Sequence, residues 1–328
     1  MEILKKFNKI NILIIGDMVA DVYLKGNIAR VSREAPVLVL EHAGEKIVPG
    51  GAANVVHNIA TLGGNAIAFG LIGDDKAGSG LKDILDSKNV DTIGLIVEDN
   101  RPTITKTRII AGGSATVSQQ IVRIDQEIKT PILAETEEYF IKLFKKVIEK
   151  VDAVVLSDYG SGMLSAKLRK TIIALCKERN IKTVVDSRYD ILNFSGVSFV
   201  KQNEAEAAKA VGFELNTEEA VVKAGNILLE KLQAEGIIIS RGEHGMSLIE
   251  SNGAINHIPV VDKSEVFDVS GAGDTAVAAF VLALASGLQS VEATKIANFA
   301  AGIAVRKLGT ATVTNKELEE VLGEYYAD

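Results

Sequence analysis

The stretch VFDVSGAGDT, residues 266–275, joins a β-prone run to an apolar, small-residue helix pattern that continues to Ser286. Glycines at such a junction let successive backbone N–H groups converge on an anion at a helix N-terminus. The carboxylate of Asp274 lies beside that predicted anion site, where it can accept a proton from an attacking hydroxyl. Phosphoryl transfer to an alcohol requires both parts. Taken alone, the stretch slightly favours the alternative, a glycine turn followed by an acidic residue that complements the helix dipole.

Elsewhere in the chain, β-prone runs alternate with helix patterns. The first run, Ile10 to Ile15, ends in Gly16-Asp17 and predicts the first buried strand of a parallel sheet. The alternation is most regular from a helix predicted over 134–150 to a strand predicted over 236–240. This pattern predicts an α/β fold with helices on both faces of a mostly parallel sheet.

Two regions depart from this alternation, because residues 17–50 and 93–125 are β-prone with few helices. They predict a small extra sheet that projects from the main one as a lid near the carboxyl ends of the core strands. No repeat, low-complexity tract or linker rich in Pro, Gly and Ser occurs. Residues 1–328 are therefore predicted to form one domain with an inserted lid.

Composition excludes several classes of protein. The formal charge is −7 and Trp is absent, which argues against non-specific nucleic-acid binding and against aromatic stacking platforms. No signal peptide or membrane-spanning run is predicted. The only cysteine, Cys176, falls in the apolar pattern of a helix predicted over 165–179, so we expect a core position and a reducing cytoplasmic location. The four histidines are scattered, and no zinc site is predicted.

Two further motifs place polar groups where strands or helices begin and end. Gly50-Gly51 precedes a helix pattern that contains Asn54, so the backbone can approach a ligand while Asn54 offers a donor and an acceptor. Asp17 follows the first strand, where ligands of open α/β sheets bind. The alternatives are a tightly packed glycine turn and an aspartate that caps a turn.

The segment Asn203 to Glu206 has two interpretations. It fits a capping box, with Asn203 at the N-cap and Glu206 at N3, and this pattern alone favours that structural role. The alternative places Glu206 near a hydrated magnesium ion. A P-loop is absent, and no Gly-x-Gly-x-x-Gly follows the first strand, so a dinucleotide fold is only weakly supported.

Four stretches, in this order along the chain, resemble the signatures of the ribokinase-like sugar kinases of the PfkB family. They are residues 50–54, 203–206, 240–245 and 266–275. The resemblance covers nearly the whole chain. It implies a three-layer α/β/α fold with a mostly parallel central sheet and a small β lid. It also implies an enzyme, an ATP- and Mg²⁺-dependent kinase that phosphorylates a sugar hydroxyl.

Within that family, further stretches resemble the heptose 7-phosphate kinases of lipopolysaccharide precursor synthesis, which act at the anomeric hydroxyl. These stretches are residues 15–17, 32–37, 49–54, 156–160 and 307–310. Some members carry a fused nucleotidyltransferase. The chain departs from the usual pattern at Ser161, where lysine is common, and at Asp186-Ser187-Arg188, where Asp-Pro-Lys is common. Residues 112–117 look like an insertion in the second lid region.

The resemblance assigns roles to named residues. Asp274 becomes the base, and the amides of Gly271, Ala272 and Gly273 hold the phosphate charge. The sugar contacts it implies are Asp17, Gly50, Gly51 and Asn54. The nucleotide contacts it implies are Asn203, Ser240, Gly242, Gly245 and Asn298. The metal contacts it implies are Glu206, through water to Mg²⁺, and Asp268 with Ser270, to a monovalent cation such as K⁺.

Cations in the lid region and after one core strand are the candidates for a substrate phosphate. They are Arg188 and the lid-region cations Arg30, Arg33, Lys106 and Arg108, each of the last four being equally compatible with a solvated surface charge. The expected partners are a small sugar phosphate and, through the lid, a second copy of the chain. The alternatives are a ribokinase-like or phosphofructokinase-like enzyme on the same fold, a non-catalytic nucleotide or sugar sensor and, more distantly, a nicotinamide-binding enzyme.

Overall fold

A computed structural model describes residues 2–113, 116–260 and 266–325. The strands within these ranges are β1 (Asn11–Gly16), β2 (Met18–Val31), β3 (Leu38–Gly51), β4 (Asn65–Ile72), β5 (Asp91–Val97), β6 (Ile104–Gly113), β7 (Thr116–Gln126), β8 (Ala153–Asp158), β9 (Lys182–Ser187), β10 (Phe199–Asn203), β11 (Gly236–Ser240), β12 (Met246–Glu250) and β13 (Ile255–Ile258). The α-helices in the same ranges are α1 (Ala52–Thr61), α2 (Lys76–Asp86), α3 (Ala134–Val147), α4 (Ala166–Glu178), α5 (Glu204–Val211), α6 (Glu218–Leu232), α7 (Ala272–Ala285), α8 (Ser290–Ala304) and α9 (Asn315–Tyr325).

The main sheet has the order β13-β12-β11-β10-β9-β8-β1-β4-β5. Strands β5, β4, β1, β8, β9, β10 and β11 pair in parallel, whereas β12 and β13 pair antiparallel at one edge. Parallel strands need crossover connections, and the helices between them supply these. The predicted α/β class with a mostly parallel central sheet is confirmed.

Strand β1 shows why helices cover both faces of this sheet. Ile12 and Ile14 pack in a core cluster with α1, α7 and α8, whereas Leu13 and Ile15 pack in a second cluster with α3, α4 and α6. Successive side chains of a strand point to opposite faces, so a continuous apolar run buries both. Cys176 on α4 is buried in the second cluster, which confirms its predicted core position. None of the helices in the described ranges is long and apolar enough to cross a membrane.

A second sheet has the order β3-β2-β6-β7 and projects from the main one at the end of β1. Its strands cover residues 18–31, 38–51, 104–113 and 116–126, which overlap the two regions predicted as a lid. The inclusion of residues 93–97 in that lid is wrong, because β5 pairs with β4 at the edge of the main sheet. Ser114 and Ala115, in the middle of the predicted insertion, lie outside the described residues.

The register of the main sheet places several strand ends at one edge. Gly16 of β1 lies opposite Ser157 of β8, and Ser157 lies opposite Asp186 of β9. Asp186 in turn lies opposite Lys201 of β10. Polar side chains that follow or end these neighbouring strands are therefore brought to the same side of the fold.

Candidate active site

The glycine loop ahead of α7 has the geometry of an anion site. Gly271 is the N-cap, with a left-handed φ of 80°, and α7 begins at Ala272. A Cβ atom on Gly271 would lie 2.8 Å from Nδ2 of Asn54, so a larger residue would displace that side chain. The backbone N–H groups of the first turn have no acceptor within the helix, as at any helix start. The N–H group of Ala272 donates to the carbonyl of Val269 at 3.3 Å. The loop therefore presents mainly the N–H groups of Gly271 and Gly273 to a negatively charged ligand.

The residues before this loop differ from the sequence prediction. The β-prone run predicts a strand ahead of the glycine loop, and this prediction is wrong for Val266 to Val269, because they pair with no strand among the described residues. Instead, the N–H groups of Phe267 and Asp268 both donate to the carbonyl of Val305. The Val269 side chain is 71% exposed, so the apolar residues of this run are not buried as those of a core strand are.

Asp274 is buried in the first turn of α7 and both of its carboxylate oxygens are hydrogen-bonded. Nδ2 of Asn54 donates to Oδ2 at 2.8 Å, and the hydroxyl of Tyr159 donates to Oδ1 at 2.9 Å. Burial raises the pKa of Asp274 to about 6, and Asp186 adds to the rise against the hydrogen bonds and Lys201. A carboxylate with a pKa near neutrality is suited to accept and release a proton.

The di-glycine motif reaches this carboxylate through Asn54. Oδ1 of Asn54 accepts from Nδ2 of Asn58, which fixes the amide so that its N–H group faces Asp274. Gly51 at the start of α1 has a φ of 55°, and a Cβ atom there would lie 2.7 Å from the carbonyl oxygen of Asp17. A Cβ atom on Gly50 would lie 2.7 Å from a carboxylate oxygen of Asp21. The motif thus packs directly against Asp17, which follows β1, and against the start of β2.

Asp17, directly after β1, is the second buried carboxylate of the site. Its Oδ2 accepts from the N–H groups of Tyr159 at 2.8 Å and Ser161 at 3.1 Å. Its Oδ1 is buried without a hydrogen-bond partner among the described residues. Burial raises the pKa of Asp17 to about 6, and nearby Asp158 adds to the rise. Because unpaired buried oxygens are costly, Asp17 fits a ligand that brings a hydroxyl donor.

The residues predicted to contact the nucleotide line one cavity of about 1240 Å³ together with the glycine loop and Asp274. The predicted residues on its wall are Asn203, Ser240, Gly242, Gly245 and Asn298. Asn298 already donates from Nδ2 to the carbonyl of Pro259, so its amide is held in place. The structure therefore brings the predicted nucleotide and phosphate residues together.

Asn203 and Glu206 form the capping box that the sequence pattern favours. The N–H group of Glu206 donates to Oδ1 of Asn203, and the N–H group of Asn203 donates to Oε2 of Glu206. Glu206 also lines the cavity, so the cap does not exclude a role near a metal. Within the described ranges, no group of three His, Cys, Asp or Glu side chains could hold a metal ion by itself. Magnesium commonly keeps several waters and binds through substrate phosphates, which fits a single carboxylate here.

Asp268 has both carboxylate oxygens bound by backbone donors. The N–H group of Ser270 donates to Oδ1 at 2.8 Å and that of Gly309 donates to Oδ2 at 3.0 Å. Burial acts to raise the pKa of Asp268, but these hydrogen bonds outweigh it and lower the pKa below its usual value. An ionised carboxylate next to the glycine loop is compatible with a monovalent cation.

Comparison with known proteins gives the family. The profile of the pfkB family of carbohydrate kinases matches residues 9–317. The chain belongs to this family. Relatives named bifunctional protein HldE are 42% identical in Azorhizobium caulinodans and 39% identical in Geobacter metallireducens, over 95% and 97% of the chain. The chain spans 64% of the length of each of these two proteins.

Solved structures of the same fold include two sugar kinases. Arabidopsis thaliana ribokinase complexed with ribose and ATP aligns with a TM-score of 0.72 at 18% identity, over 95% of this chain and 98% of that one. Phosphofructokinase-2 from Escherichia coli in complex with substrates and products aligns with a TM-score of 0.75 at 22% identity, over 97% and 100%. The fold is ribokinase-like. This pfkB kinase is a phosphotransferase with a sugar hydroxyl as acceptor.

In this pfkB kinase, the five cations predicted as candidates for a substrate phosphate fall into three groups. Lys106 and Arg188 both lie against the ring of Tyr159, each 5.3 Å from its centroid. Arg108 instead pairs with Asp21 at 2.7 Å, so its charge is already compensated. Arg30 and Arg33 are exposed in the projecting sheet and its connecting turn, and no contact among the described residues joins them to the rest of the site. Of the five predicted cations, Lys106 and Arg188 are therefore the two that the structure brings to the site.

Sequence reasoning missed Lys201 in this pfkB kinase. The Lys201 ammonium lies 3.1 Å from Oδ2 of Asp186, and a Cβ atom on Gly273 would lie 2.6 Å from Nζ. Burial acts to lower the pKa of Lys201, but Asp186, Glu206 and Asp274 outweigh it and raise the pKa. The glycine therefore leaves room for a positive charge beside the anion loop. The sequence feature that could have identified Lys201 is a lysine within the apolar strand pattern before Asn203.

Proposed function

We propose that this pfkB kinase transfers the γ-phosphoryl group of ATP to the anomeric hydroxyl of D-glycero-D-manno-heptose 7-phosphate, giving the 1,7-bisphosphate. The observation that carries the proposal is the buried Asp274 carboxylate beside the Gly271–Gly273 loop. It lies between the cavity lined by the predicted nucleotide residues and the Asp17 and Asn54 end of the site. The heptose substrate rests on the motifs that resemble heptose 7-phosphate kinases and on the similarity to proteins named HldE.

In the proposed reaction, Asp274 accepts the proton of the sugar hydroxyl as that oxygen attacks the γ-phosphorus. The bond to the leaving ADP oxygen breaks, and the backbone amides of Gly271, Ala272 and Gly273 stabilise the charge on the transferred group. Lys201, beside Gly273, adds a positive charge to the same region. Glu206, with Asn203, would hold Mg²⁺ through water. When bound, the metal neutralises charge on the nucleotide phosphates.

The opposite end of the site would bind the sugar phosphate. Asp17 and Asn54 offer the carboxylate and amide groups that pair with sugar hydroxyls, with Gly50 and Gly51 allowing close approach. The 7-phosphate would lie near Lys106 and Arg188. Burial lowers the pKa of Lys106, and Arg188 lowers it further because the two like charges repel each other. A bound phosphate dianion would relieve that repulsion.

The test is a panel of acceptor sugars assayed for ADP release, with products identified by mass spectrometry. We expect heptose 7-phosphate to be phosphorylated with the highest kcat/KM, above ribose, fructose 6-phosphate and the unphosphorylated heptose. Loss of most of that preference in a Lys106→Met, Arg188→Met double variant would support the phosphate contact. Preference for ribose or fructose 6-phosphate would refute the heptose assignment. Absence of turnover with every sugar would refute the kinase assignment.

Asp268 carries a separate proposal about ion dependence. One solved structure of phosphofructokinase-2 from Escherichia coli is a complex with potassium, with a TM-score of 0.76 to this chain. We propose that K⁺ binds near the ionised Asp268 and Ser270 and stabilises the anion loop. We expect kcat to rise severalfold when K⁺ replaces tetramethylammonium at constant ionic strength. Equal rates in the two salts would contradict this proposal.

The projecting sheet supports a homodimer. Its exposed apolar side chains include Val31, Val37, Ile121, Val122 and Ile124. Apolar side chains that are exposed along a sheet can be buried in an interaction surface. We propose that two copies pair through this sheet, and sedimentation equilibrium tests this directly. We expect a dimer that Ile124→Lys shifts towards monomer; a wild-type monomer would contradict it.

A cytoplasmic location stays a prediction from the single cysteine.

A further inference from the structure

Tyr159 contacts three parts of the site at once. Its hydroxyl donates to Oδ1 of Asp274 at 2.9 Å, and its backbone N–H group donates to Oδ2 of Asp17 at 2.8 Å. The same ring lies against Lys106 of the lid strand β6 and against Arg188 after β9. The residue therefore links the carboxylate at the sugar end, the lid and the carboxylate at the glycine loop.

The hydrogen bond to Asp274 has a geometric consequence. Asn54 holds Oδ2 from α1 and Tyr159 holds Oδ1 from the loop after β8, so two donors from different elements fix the plane of the carboxylate. With one donor removed, the carboxylate can rotate about the bond to its Cβ. A displacement of about 1 Å at a reacting group can cost about 100-fold in rate.

We propose that Tyr159 is a positioning residue that fixes the carboxylate of Asp274 for proton transfer and links its position to the lid through Lys106. This inference rests on the proposed kinase function. Tyr159 does not exchange a proton in the reaction, since burial and the charges of Asp274 and Asp186 raise its pKa well above the usual value. Its hydroxyl therefore remains a donor across the working range of pH.

The groups around Asp274 determine how removal of the Tyr159 hydroxyl should change the pKa of Asp274. The charged groups that act on it most strongly are Asp186 on β9, which raises its pKa, and Lys201 on β10, which lowers it. The Tyr159 hydrogen bond also lowers it, because it stabilises the ionised form. Loss of a hydrogen bond to a charged group corresponds to about one pKa unit.

The experiment compares Tyr159→Phe with the wild type. Phenylalanine keeps the ring against the two cations and removes only the hydroxyl. We expect kcat at pH 8 to fall about 10- to 100-fold, with the KM for ATP unchanged. The acid limb of the kcat–pH profile should move up by about one pH unit. The matched control is Tyr189→Phe, which removes the hydroxyl of a tyrosine that is 54% exposed, and we expect it to behave as the wild type.

A measurement that does not depend on catalytic turnover separates this inference from the kinase assignment. Carboxyl ¹³C titration, with Asp274→Asn used to assign the resonance, should show the Asp274 midpoint about one unit higher in Tyr159→Phe. If the wild type phosphorylates no sugar but this shift occurs, the kinase proposal fails and the role of Tyr159 at Asp274 stands. If a folded Tyr159→Phe protein keeps the wild-type kcat, pH profile and midpoint, the inference is wrong. Melting curves confirm folding.

Discussion

Asp17 and Asp274 are two buried aspartates of one site, and burial raises the pKa of each to about 6. They differ in how their oxygens are used. Both oxygens of Asp274 are hydrogen-bonded, whereas Oδ1 of Asp17 has no partner among the described residues. A carboxylate with both oxygens hydrogen-bonded is suited to proton transfer, which requires a fixed geometry. A carboxylate with an unpaired oxygen is suited to binding a donor that arrives with the ligand.

The largest expected effect follows from removing the proposed base. Asp274→Asn keeps the shape of the side chain but removes its ability to take a proton. We expect kcat to fall by about 10²–10⁴-fold while the affinity for ATP changes little. Steady-state kinetics and a nucleotide titration measure the two quantities. Near-normal turnover by a folded variant would show that Asp274 is not the base.

Lys201 distinguishes the two carboxylates electrostatically, because it acts on the pKa of Asp274 but is not among the main groups that shift Asp17. Lys201→Met should lower kcat by about 10²–10³-fold, as expected for loss of a charge beside the transferred group. The surface variant Lys182→Met is the matched control, since Lys182 pairs with Glu235 on the outside of the sheet. Equal kinetics in the two variants would contradict a role for Lys201.

Asp17→Asn should act mainly on sugar binding. The amide oxygen can still accept the N–H groups of Tyr159 and Ser161, but the charged acceptor for a sugar hydroxyl is lost. We expect the KM for the sugar to rise about 10- to 100-fold, with a smaller change in kcat. Initial-rate kinetics over a wide range of sugar concentration separate these parameters. A loss confined to kcat would assign Asp17 to the chemical step instead.

The same two carboxylates are expected to lower stability at neutral pH. A buried aspartate with a raised pKa binds its proton more tightly in the folded state. The stability this contributes is present below pH 3.8, the ordinary pKa of aspartate, and is lost as pH rises through about 6. Asp17→Asn should therefore raise the free energy of unfolding at pH 7.5 by about 1–3 kcal/mol. Urea titrations at pH 7.5 and pH 4 measure this, and an equal change at both pH values would contradict it.

Most of the fold follows from local patterns in the sequence. The alternation of apolar strands with helix patterns predicts the parallel sheet, and the helix predicted over 165–179 is observed as α4. The pattern does not show which sheet a strand joins. Strand β5 is half-buried, as strands of the second sheet are, so its pairing with β4 depends on tertiary contacts. Apolar residues alone likewise do not make 266–269 a strand, because the segment pairs with no strand among the described residues.

The residues of the site likewise fall into those that local sequence patterns predict and those that depend on long-range contacts. Asp274, Asn54 and Asp17 stand beside glycine motifs, so their positions can be predicted from sequence. Lys201 and Tyr159 are brought to Asp274 by the order of neighbouring strands, which local patterns do not specify. The pairing of Arg108 with Asp21 depends on the parallel alignment of β2 with β6. Long-range contacts of this kind become visible only in the folded structure.

The division of roles between the two aspartates is tested most directly by the pH dependence of kcat in the wild type and in Asp17→Asn, with both substrates saturating. Asp274 must be ionised to accept a proton, so kcat should fall as pH drops through about 6 in the wild type. We expect Asp17→Asn to keep this acid limb at the same pH. Disappearance of the limb in Asp17→Asn would show that Asp17, and not Asp274, controls proton transfer.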